Sequence, residues 1–381
     1  MNIAKRFPSL GITNTKSLTE KKQQTDKKIQ YVSAYVRLWA YVMLERPNTD
    51  TVNFIDCMSN AGVYRDGDCC TAIEVLRIFS ELADDYPQKS FRVFCNDYDP
   101  VKIKILKKIV GADIVPPKKN VHLFVSQKDV NDYLADLAGE PKVVGQKNIF
   151  AYGTSTILYV DPFDFGTVEI PKVSAVLKNH YCELIFNFFT SDYTRNFAKD
   201  RGRIAKCLGG KTISSREELI EYMRSQLRVG KIEHLFAYRF KTQKNVELYQ
   251  IVFATPSIRG LEKLKEALWS TFKGAEFHRN KGYVDDAQTC LFTDADEQVA
   301  ALASYSGEAK EWLCDEFSGS TVSWADIERF LIENTMLTES QIIRNVLKPL
   351  IDDGKVKKCN LCGKTNFKKD SFTFIRQGDC V

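Results

Sequence analysis

The sequence predicts an α/β chain in two parts: a Rossmann-like domain built on a parallel sheet, then a C-terminal winged helix-turn-helix. Three observations predict it. Short β-rich runs alternate with helical stretches, an antiparallel hairpin follows them, and two capped helices with two short strands lie near the C-terminus. We place residues 27–289 in the first domain, residues 290–381 in the second, and residues 1–26 in a flexible basic arm.

Composition limits the class of protein. The chain has 381 residues, of which 44% are hydrophobic and 12% aromatic, and this excludes a disordered composition. The net charge of +5 permits a nucleic-acid partner without requiring one. Eleven cysteines, several of them in apolar runs, indicate free thiols rather than a disulfide framework. The polar start carries no signal-peptide core, and no run approaches a membrane span, so we expect a cytoplasmic protein.

A leading helix and five alternating strands make up the first domain. Apolar residues recur at helical spacing from Lys27 to about Glu45. Since right-handed crossovers are the rule, the alternation that follows predicts a doubly wound parallel sheet. The predicted strands are Val52–Asp56, Phe91–Asn96, Val121–Val125, Thr156–Asp161 and Glu183–Phe188. The predicted helices are Thr71–Leu82, Val101–Val110, Val130–Leu137, Ile170–Leu177 and Arg216–Val229.

A hairpin closes the predicted sheet. The runs His234–Lys241 and Val246–Ala254 flank a polar turn, and a helix at Leu261–Phe272 follows them. An antiparallel pair added to a parallel sheet is typical of class I methyltransferases, which use S-adenosylmethionine (SAM), and is unusual in simple dinucleotide-binding folds.

Ligands of doubly wound sheets bind outside the carboxyl ends of the strands, and polar residues gather there in this sequence. After the first strand, Asp56 is placed to hold the cofactor's ammonium group, and Gly62 permits a tight turn. Asn60 stands where a glycine is usual, and asparagine tolerates positive φ. An ordinary strand-to-helix loop is the alternative interpretation.

Three more acids follow the next two strands. Asp97 or Asp99 could accept hydrogen bonds from ribose hydroxyls, and Asp129 could bind the adenine amine. Helix capping explains the same residues: Asp99 precedes Pro100, and Asp129 precedes the fourth helix.

The motif with the most specific residue types ends the fourth strand as Asp161-Pro162-Phe163. An acid, a proline and an aromatic residue here resemble the acid-Pro-Pro-aromatic motif of methyltransferases that modify exocyclic amines. A carboxylate can orient the amine, and an aromatic ring can stack on an extruded base. One proline is missing, and a strand that ends in a turn with Phe163 in the core is the alternative.

In their order, these motifs resemble the three-Cys-motif partner proteins, a bacterial family often linked to mobile elements. The resemblance rests on Asp56–Gly62, Tyr64–Gly67, Asp161–Phe163, Asn187-Phe188 and Phe253–Gly260, and covers roughly residues 27–355. It implies a methyltransferase-like fold, a C-terminal winged helix and a separate Cys-motif partner protein.

Two positions depart from the family pattern. Asn60 replaces the turn glycine, and Asp164 replaces a glycine usual after Asp-Pro-Phe. Both lie where cofactor or substrate is expected, so they bear on catalysis more than on fold.

The C-terminal part has helix-turn-helix features. Ser323 with Asp326, and Thr338 with Gln341, form two capping-box patterns, and the second helix stops at Gly354. Two strands, Lys355–Cys359 and Ser371–Arg376, are predicted to form a wing.

Local positive charge marks this part. Phosphate contact is its simplest use, and a solvated basic face on a protein-docking module is the alternative. The predicted nucleic-acid-binding residues are Gln341, Arg344, Lys348, Lys355, Lys357 and Lys358. Cys359 and Cys362 resemble half of a zinc knuckle, but only Cys380 lies near as a third ligand, so we predict no metal site.

Two hypotheses follow. The first is a SAM-dependent enzyme that methylates a base in DNA or RNA and positions it with the winged helix. The second is a non-catalytic nucleic-acid-binding adaptor that docks a three-Cys-motif partner protein. The missing glycines favour the adaptor, whereas Asp56 together with Asp161–Phe163 favours the enzyme.

Overall fold

The chain divides into two compact units in the computed structural model, which describes residues 1–13, 15–112, 114–139, 149–242, 247–274, 277–279, 294–359 and 367–376. The first unit comprises Met1–Ser257 and Glu276–Gly282, and the second comprises Ile258–Ala275 and Tyr283–Val381. None of the described helices is both long and apolar enough to span a membrane.

The first unit is built on an eight-stranded sheet in the order β3-β2-β1-β4-β5-β7-β6-β8. Strands β1 to β5 are parallel, whereas β7 runs antiparallel to both β5 and β6. The strands are β1 Thr51–Asp56, β2 Ser90–Asn96, β3 Val121–Ser126, β4 Thr154–Val160, β5 Glu183–Phe188, β6 His234–Thr242, β7 Glu247–Thr255 and β8 Phe277–Arg279.

Helices cover the sheet, and this explains why its central strands are buried along their whole length. Every residue of β1 and β5 is buried, as expected for parallel strands enclosed on both faces. The helices are α1 Gln23–Leu44, α2 Thr71–Asp85, α3 Pro100–Gly111, α4 Val130–Ala138, α5 Ile170–Asn179, α6 Thr190–Asn196, α7 Arg201–Cys207 and α8 Arg216–Leu227.

This strand order, with the antiparallel hairpin inserted next to β5, is that of the class I methyltransferase fold. The fold class predicted for the first domain is therefore confirmed.

The N-terminal arm differs from the flexible segment that the sequence predicts. Ile3, Phe7, Ile12 and Leu18 are buried, and the Ile3 N–H donates to the Gly67 carbonyl at 2.7 Å. Four apolar side chains spaced along a basic segment are enough to fix it on the domain surface.

The second unit contains helices α9 Ile258–Phe272, α10 Asp294–Glu316, α11 Trp324–Asn334, α12 Glu339–Gln341 and α13 Lys348–Asp352. A π-helical turn at Ile342–Leu347 joins the last two helices. Three strands, β9 Thr321–Ser323, β10 Val356–Cys359 and β11 Ser371–Phe374, form an antiparallel sheet with β11 in the centre. Both predicted capping boxes are present.

Helix α9 belongs to the second unit, although the sequence division places it in the first domain. The Trp269 indole donates to the Met336 carbonyl at 2.6 Å, and the buried Lys265 ammonium donates to the Leu337 carbonyl at 3.2 Å. The buried face of α9 thus packs against the segment before α12. The predicted boundary between residues 289 and 290 lies outside the described residues.

Candidate cofactor and acceptor site

The loop after β1 is tightly folded, and its N–H groups donate to the Asp56 side chain and to carbonyl groups of β4 and β2. Asp56 is 2% exposed and accepts the Met58 N–H at 3.1 Å. Burial, together with the nearby Asp161 and Asp97 carboxylates, raises the pKa of Asp56 well above its usual value. Gly62 has φ +78°, and a Cβ there would lie 2.6 Å from Leu106 Cδ1, so the predicted tight turn requires glycine at this position.

Asn60 has φ +56°, which is the left-handed conformation expected of the glycine that is usual at this position. Its N–H donates to Asp97 Oδ2 at 3.0 Å, and its side-chain amide donates to Thr19 in the arm at 3.0 Å. Asparagine therefore performs the conformational role of a glycine here.

The three acids after β2 and β3 have different roles. Asp97 also accepts the Asp99 N–H at 3.0 Å, so its two oxygens order the loop. Asp99 caps α3 by accepting the Val101 N–H at 2.8 Å, and Asp129 caps α4 by accepting the Asn131 N–H at 2.8 Å. The capping alternatives thus account for Asp99 and Asp129 in this structure.

A cavity of about 350 Å³ lies at the carboxyl ends of β1, β2, β3 and β4. Asp97 and Asp129 both contribute to its wall, so these two predicted cofactor residues are brought together. The wall is formed by Cys57, Met58, Asn96, Asp97, Tyr98, Lys128, Asp129, Val130, Phe163, Asp164 and Thr167.

The carboxylate of Asp161, directly after β4, is held by three donors. The Lys28 ammonium lies 2.6 Å from Oδ1, which also accepts the Asn187 amide at 2.9 Å. The Tyr159 hydroxyl donates to Oδ2 at 3.1 Å. Two carboxylate oxygens offer about four acceptor positions, so roughly one position, on Oδ2, is left open by the described residues.

A second cavity, of about 280 Å³, lies on the other side of this motif. Asp161 and Pro162 line it, and Phe163 lines both cavities. Phe163 is 48% exposed, with the Lys102 ammonium 4.3 Å from its ring centroid. The alternative that Phe163 is a core residue is therefore wrong. Asp164, the departure from the family pattern, pairs with Arg203 at 2.6 Å.

Sequence reasoning missed the cationic partner of Asp161. Lys28 follows Lys27 in a basic stretch, and nothing in the sequence marks it as the buried member of the pair. Asn187 could have been found from the sequence, because an amide that follows the apolar run Leu184–Phe186 of a buried strand needs polar partners.

Two of the predicted nucleic-acid-binding residues have structural partners. Gln341 Oε1 accepts the Thr338 N–H at 2.9 Å as part of the capping box, and Lys358 pairs with the buried Asp370 at 2.8 Å. The side chains of Arg344, Lys348, Lys355 and Lys357 are exposed. Cys359 is also exposed, whereas Cys362 and Cys380 lie outside the described residues.

No protein-family model and no curated protein matches the chain. Among solved structures, the methyltransferase domain of bacterial CtHen1 is similar at 13% identity and a TM-score of 0.33, over 61% of this chain and all of that one. A DUF574 family protein from Streptomyces avermitilis shares 13% identity at a TM-score of 0.35, over 60% of this chain and 83% of that one. A putative class I SAM-dependent methyltransferase from Listeria monocytogenes shares 12% identity at a TM-score of 0.30, over 60% of this chain and 59% of that one.

Proposed function

We propose that the chain is a SAM-dependent methyltransferase that modifies an exocyclic amine of a base in DNA or RNA. The supporting observation is that two cavities meet at Asp161-Pro162-Phe163, with Phe163 in the wall of both. Methyl transfer needs a donor on one side of a reactive position and an acceptor on the other. A turn at the carboxyl end of β4 supplies that separation.

The first cavity suits the cofactor. Its volume of about 350 Å³ and its position beside Asp97 and Asp129 fit the adenosine part of SAM. Asp56 directly precedes Cys57 and Met58, which line this cavity. A bound ammonium group would favour the ionised form of the buried Asp56 carboxyl group. The cofactor supplies the methyl group, while the chain positions and orients it.

Asp161 is the proposed orienting residue for the amine. Its open Oδ2 position can accept an N–H and direct the nitrogen lone pair toward the methyl carbon. As the N–C bond forms, the bond from that carbon to sulfur breaks, S-adenosylhomocysteine is released, and the nitrogen gives up a proton to solvent.

Calorimetry with SAM and S-adenosylhomocysteine tests the cofactor step. We expect measurable binding of both, and no heat at high protein concentration contradicts the enzyme. Given binding, Asp161→Ala should abolish labelled methyl transfer to a mixture of DNA and RNA oligonucleotides. Thermal unfolding of the variant checks that it is folded. Asp84→Ala serves as the control, because this exposed carboxylate pairs with Lys118 and lines neither cavity.

We further propose that the second unit is a winged helix that binds the nucleic acid. Its elements from α10 to β11 run helix, strand, helix, helix, strand, strand. Exposed cations lie on the π-helical turn (Arg344), at the start of α13 (Lys348) and on β10 (Lys357). Arg344→Ala should weaken oligonucleotide binding and flatten its salt dependence, whereas Arg329→Ala on α11 should change neither. Equal effects in a gel-shift titration, or binding insensitive to salt, count against phosphate contact.

The adaptor hypothesis is the competing outcome of these experiments. The loop contacts of Asn60 and Asp97 favour it, because they occupy groups that a cofactor would use. Absence of cofactor binding, combined with retained nucleic-acid binding and co-purification of a three-Cys-motif protein, would replace the enzyme with the adaptor.

A further inference from the structure

The second cavity is lined by buried polar atoms that have no hydrogen-bond partner among the described residues. Asn187 is 3% exposed and Tyr249 is 5% exposed, and both line the cavity. The Asn187 Oδ1 atom and the Tyr249 hydroxyl are buried without a hydrogen-bond partner from any residue that the structure describes. Buried polar groups are normally paired, since an unpaired one costs about 1–3 kcal/mol. These two groups therefore point to a missing ligand.

The orientation of the Asn187 amide follows from its neighbour. Its NH2 group donates to Asp161 Oδ1 at 2.9 Å, and a carboxylate oxygen only accepts hydrogen bonds. Oδ1 of Asn187 is consequently an acceptor, left over for a donor from outside the protein. Gln24 Oε1, from α1 at the same cavity, is a second buried acceptor with no partner in the described part of the chain.

The remaining wall is aromatic and cationic. Tyr64, Phe163, Phe189 and Tyr249 supply ring surface, and the Lys28 ammonium supplies a donor beside Asp161. A volume of about 280 Å³ lies at the small end of ligand pockets, which suits one base rather than a run of stacked bases.

We propose that this cavity binds a single amino-bearing nucleobase, adenine or cytosine, through an amine that donates to Asn187 Oδ1 and a ring nitrogen that accepts from the Tyr249 hydroxyl. This inference rests on the proposed function, because the cavity is the acceptor side of the same motif. Uracil and thymine present a carbonyl where these bases present an amine, so the Asn187 oxygen repels them.

The test uses the full chain saturated with S-adenosylhomocysteine, titrated with adenosine, cytidine and uridine and followed by ligand-detected NMR. We expect adenosine or cytidine to bind in the millimolar range and uridine to bind at least about tenfold more weakly. Equal binding of all three, or binding of none, overturns the inference.

Two variants assign the contacts. Tyr249→Phe should weaken binding of the amino-bearing nucleoside about fivefold, while the unliganded protein stays as stable or becomes more stable, because it loses an unpaired hydroxyl. Asn187→Leu should weaken the same binding by about tenfold or more. Tyr222→Phe is the matched control. The Tyr222 hydroxyl donates to the Leu208 carbonyl at 2.8 Å, and Tyr222 does not line the cavity.

The outcomes separate this inference from the proposed function. Nucleoside binding unaffected by Tyr249→Phe and Asn187→Leu, with S-adenosylhomocysteine binding intact, removes the base site and leaves the methyltransferase. Failure of the wild-type chain to bind S-adenosylhomocysteine removes the methyltransferase, and nucleoside selectivity is then measured on the unliganded chain.

Discussion

The ends of β1 and β4 are neighbours in the sheet, and each carries an aspartate, yet the two ends are constructed differently. Asp56 is buried with a backbone N–H as its hydrogen-bond donor, and its pKa is raised by burial. Asp161 is held by an ammonium, an amide and a hydroxyl from three different elements. The β1 end is closed by its own loop, whereas the β4 end opens between two cavities.

The difference shows that two neighbouring strand ends of one sheet can be held in different ways. The Asp56 and Asp97 carboxylates hold the N–H groups of the β1 loop, so the residue types of this loop are constrained by its conformation. Side chains from α1 and β5 fix Asp161, so its properties depend on residues far away in sequence.

The largest expected effect is at Asp161. Asp161→Ala leaves the Lys28 ammonium, whose side chain is only 9% exposed, without its carboxylate. We expect a loss of about 3–5 kcal/mol in the free energy of unfolding, measured by urea denaturation. The double variant Lys28→Met with Asp161→Ala should recover more than half of that loss. Losses that simply add would show that the pair is not coupled.

Gly62→Ala tests the closed end. Positive φ and the 2.6 Å approach to Leu106 should together lower the free energy of unfolding by about 2–3 kcal/mol. Gly210→Ala is the matched control, because Gly210 has φ +86° but open space around its Cβ position. Its loss should be about 1 kcal/mol, and equal losses would mean that packing against Leu106 does not matter.

Asp56→Asn should stabilise the cofactor-free protein at neutral pH. A folded-state pKa raised above the unfolded value of 3.8 means that stability declines as pH rises above about 4. The amide keeps the oxygen that accepts the Met58 N–H but carries no charge. We expect a gain in the free energy of unfolding at pH 7 that vanishes near pH 4, measured by denaturation across pH.

Asp68→Asn gives the opposite sign and serves as the control for Asp56→Asn. Partial burial raises the pKa of Asp68, but hydrogen bonds from Lys21 and Asn2 outweigh it and lower the pKa overall. Asp68 therefore stabilises the folded protein above its unfolded pKa, and its neutral variant should be less stable at pH 7. A loss of stability at pH 7 in both variants would contradict the raised pKa of Asp56.

The smallest stability effect is expected at Phe163. Phe163→Leu removes the ring under Lys102 from a half-exposed site, and should cost less than about 1 kcal/mol. Labelled methyl transfer should nevertheless fall, because the wall shared by the two cavities is changed. Tyr152→Leu, at a side chain that is 91% exposed, should alter neither measurement.

Local patterns predicted the sheet well. The five parallel strands and the hairpin agree with the structure to within two residues at each end, because buried parallel strands are apolar runs and turns are polar. The tight turn at Asn60 and Gly62 also follows from residue type. Helices α6 and α7 were not predicted, since each spans only two turns and shows little periodicity.

The candidate site was less predictable, because its contacts join distant parts of the chain. Asp161 could be found from a short motif, but Lys28 lies 133 residues away and looks like any lysine at the start of a helix. The path of the arm was equally hidden, since four spaced apolar residues among polar ones give no periodic signal.

The N-terminal arm forms part of the wall of the second cavity, so the cavity depends on the local stability of the arm. Thr19, Glu20 and Lys22 form part of its wall, yet they belong to a segment without strand or long helix, fastened by contacts such as the one between Ile3 and Gly67. Segments of this kind open in native-state fluctuations more often than the sheet beneath them. Slowed amide hydrogen exchange in residues 15–25 would therefore report occupancy of the cavity, even for a ligand that never touches those amides.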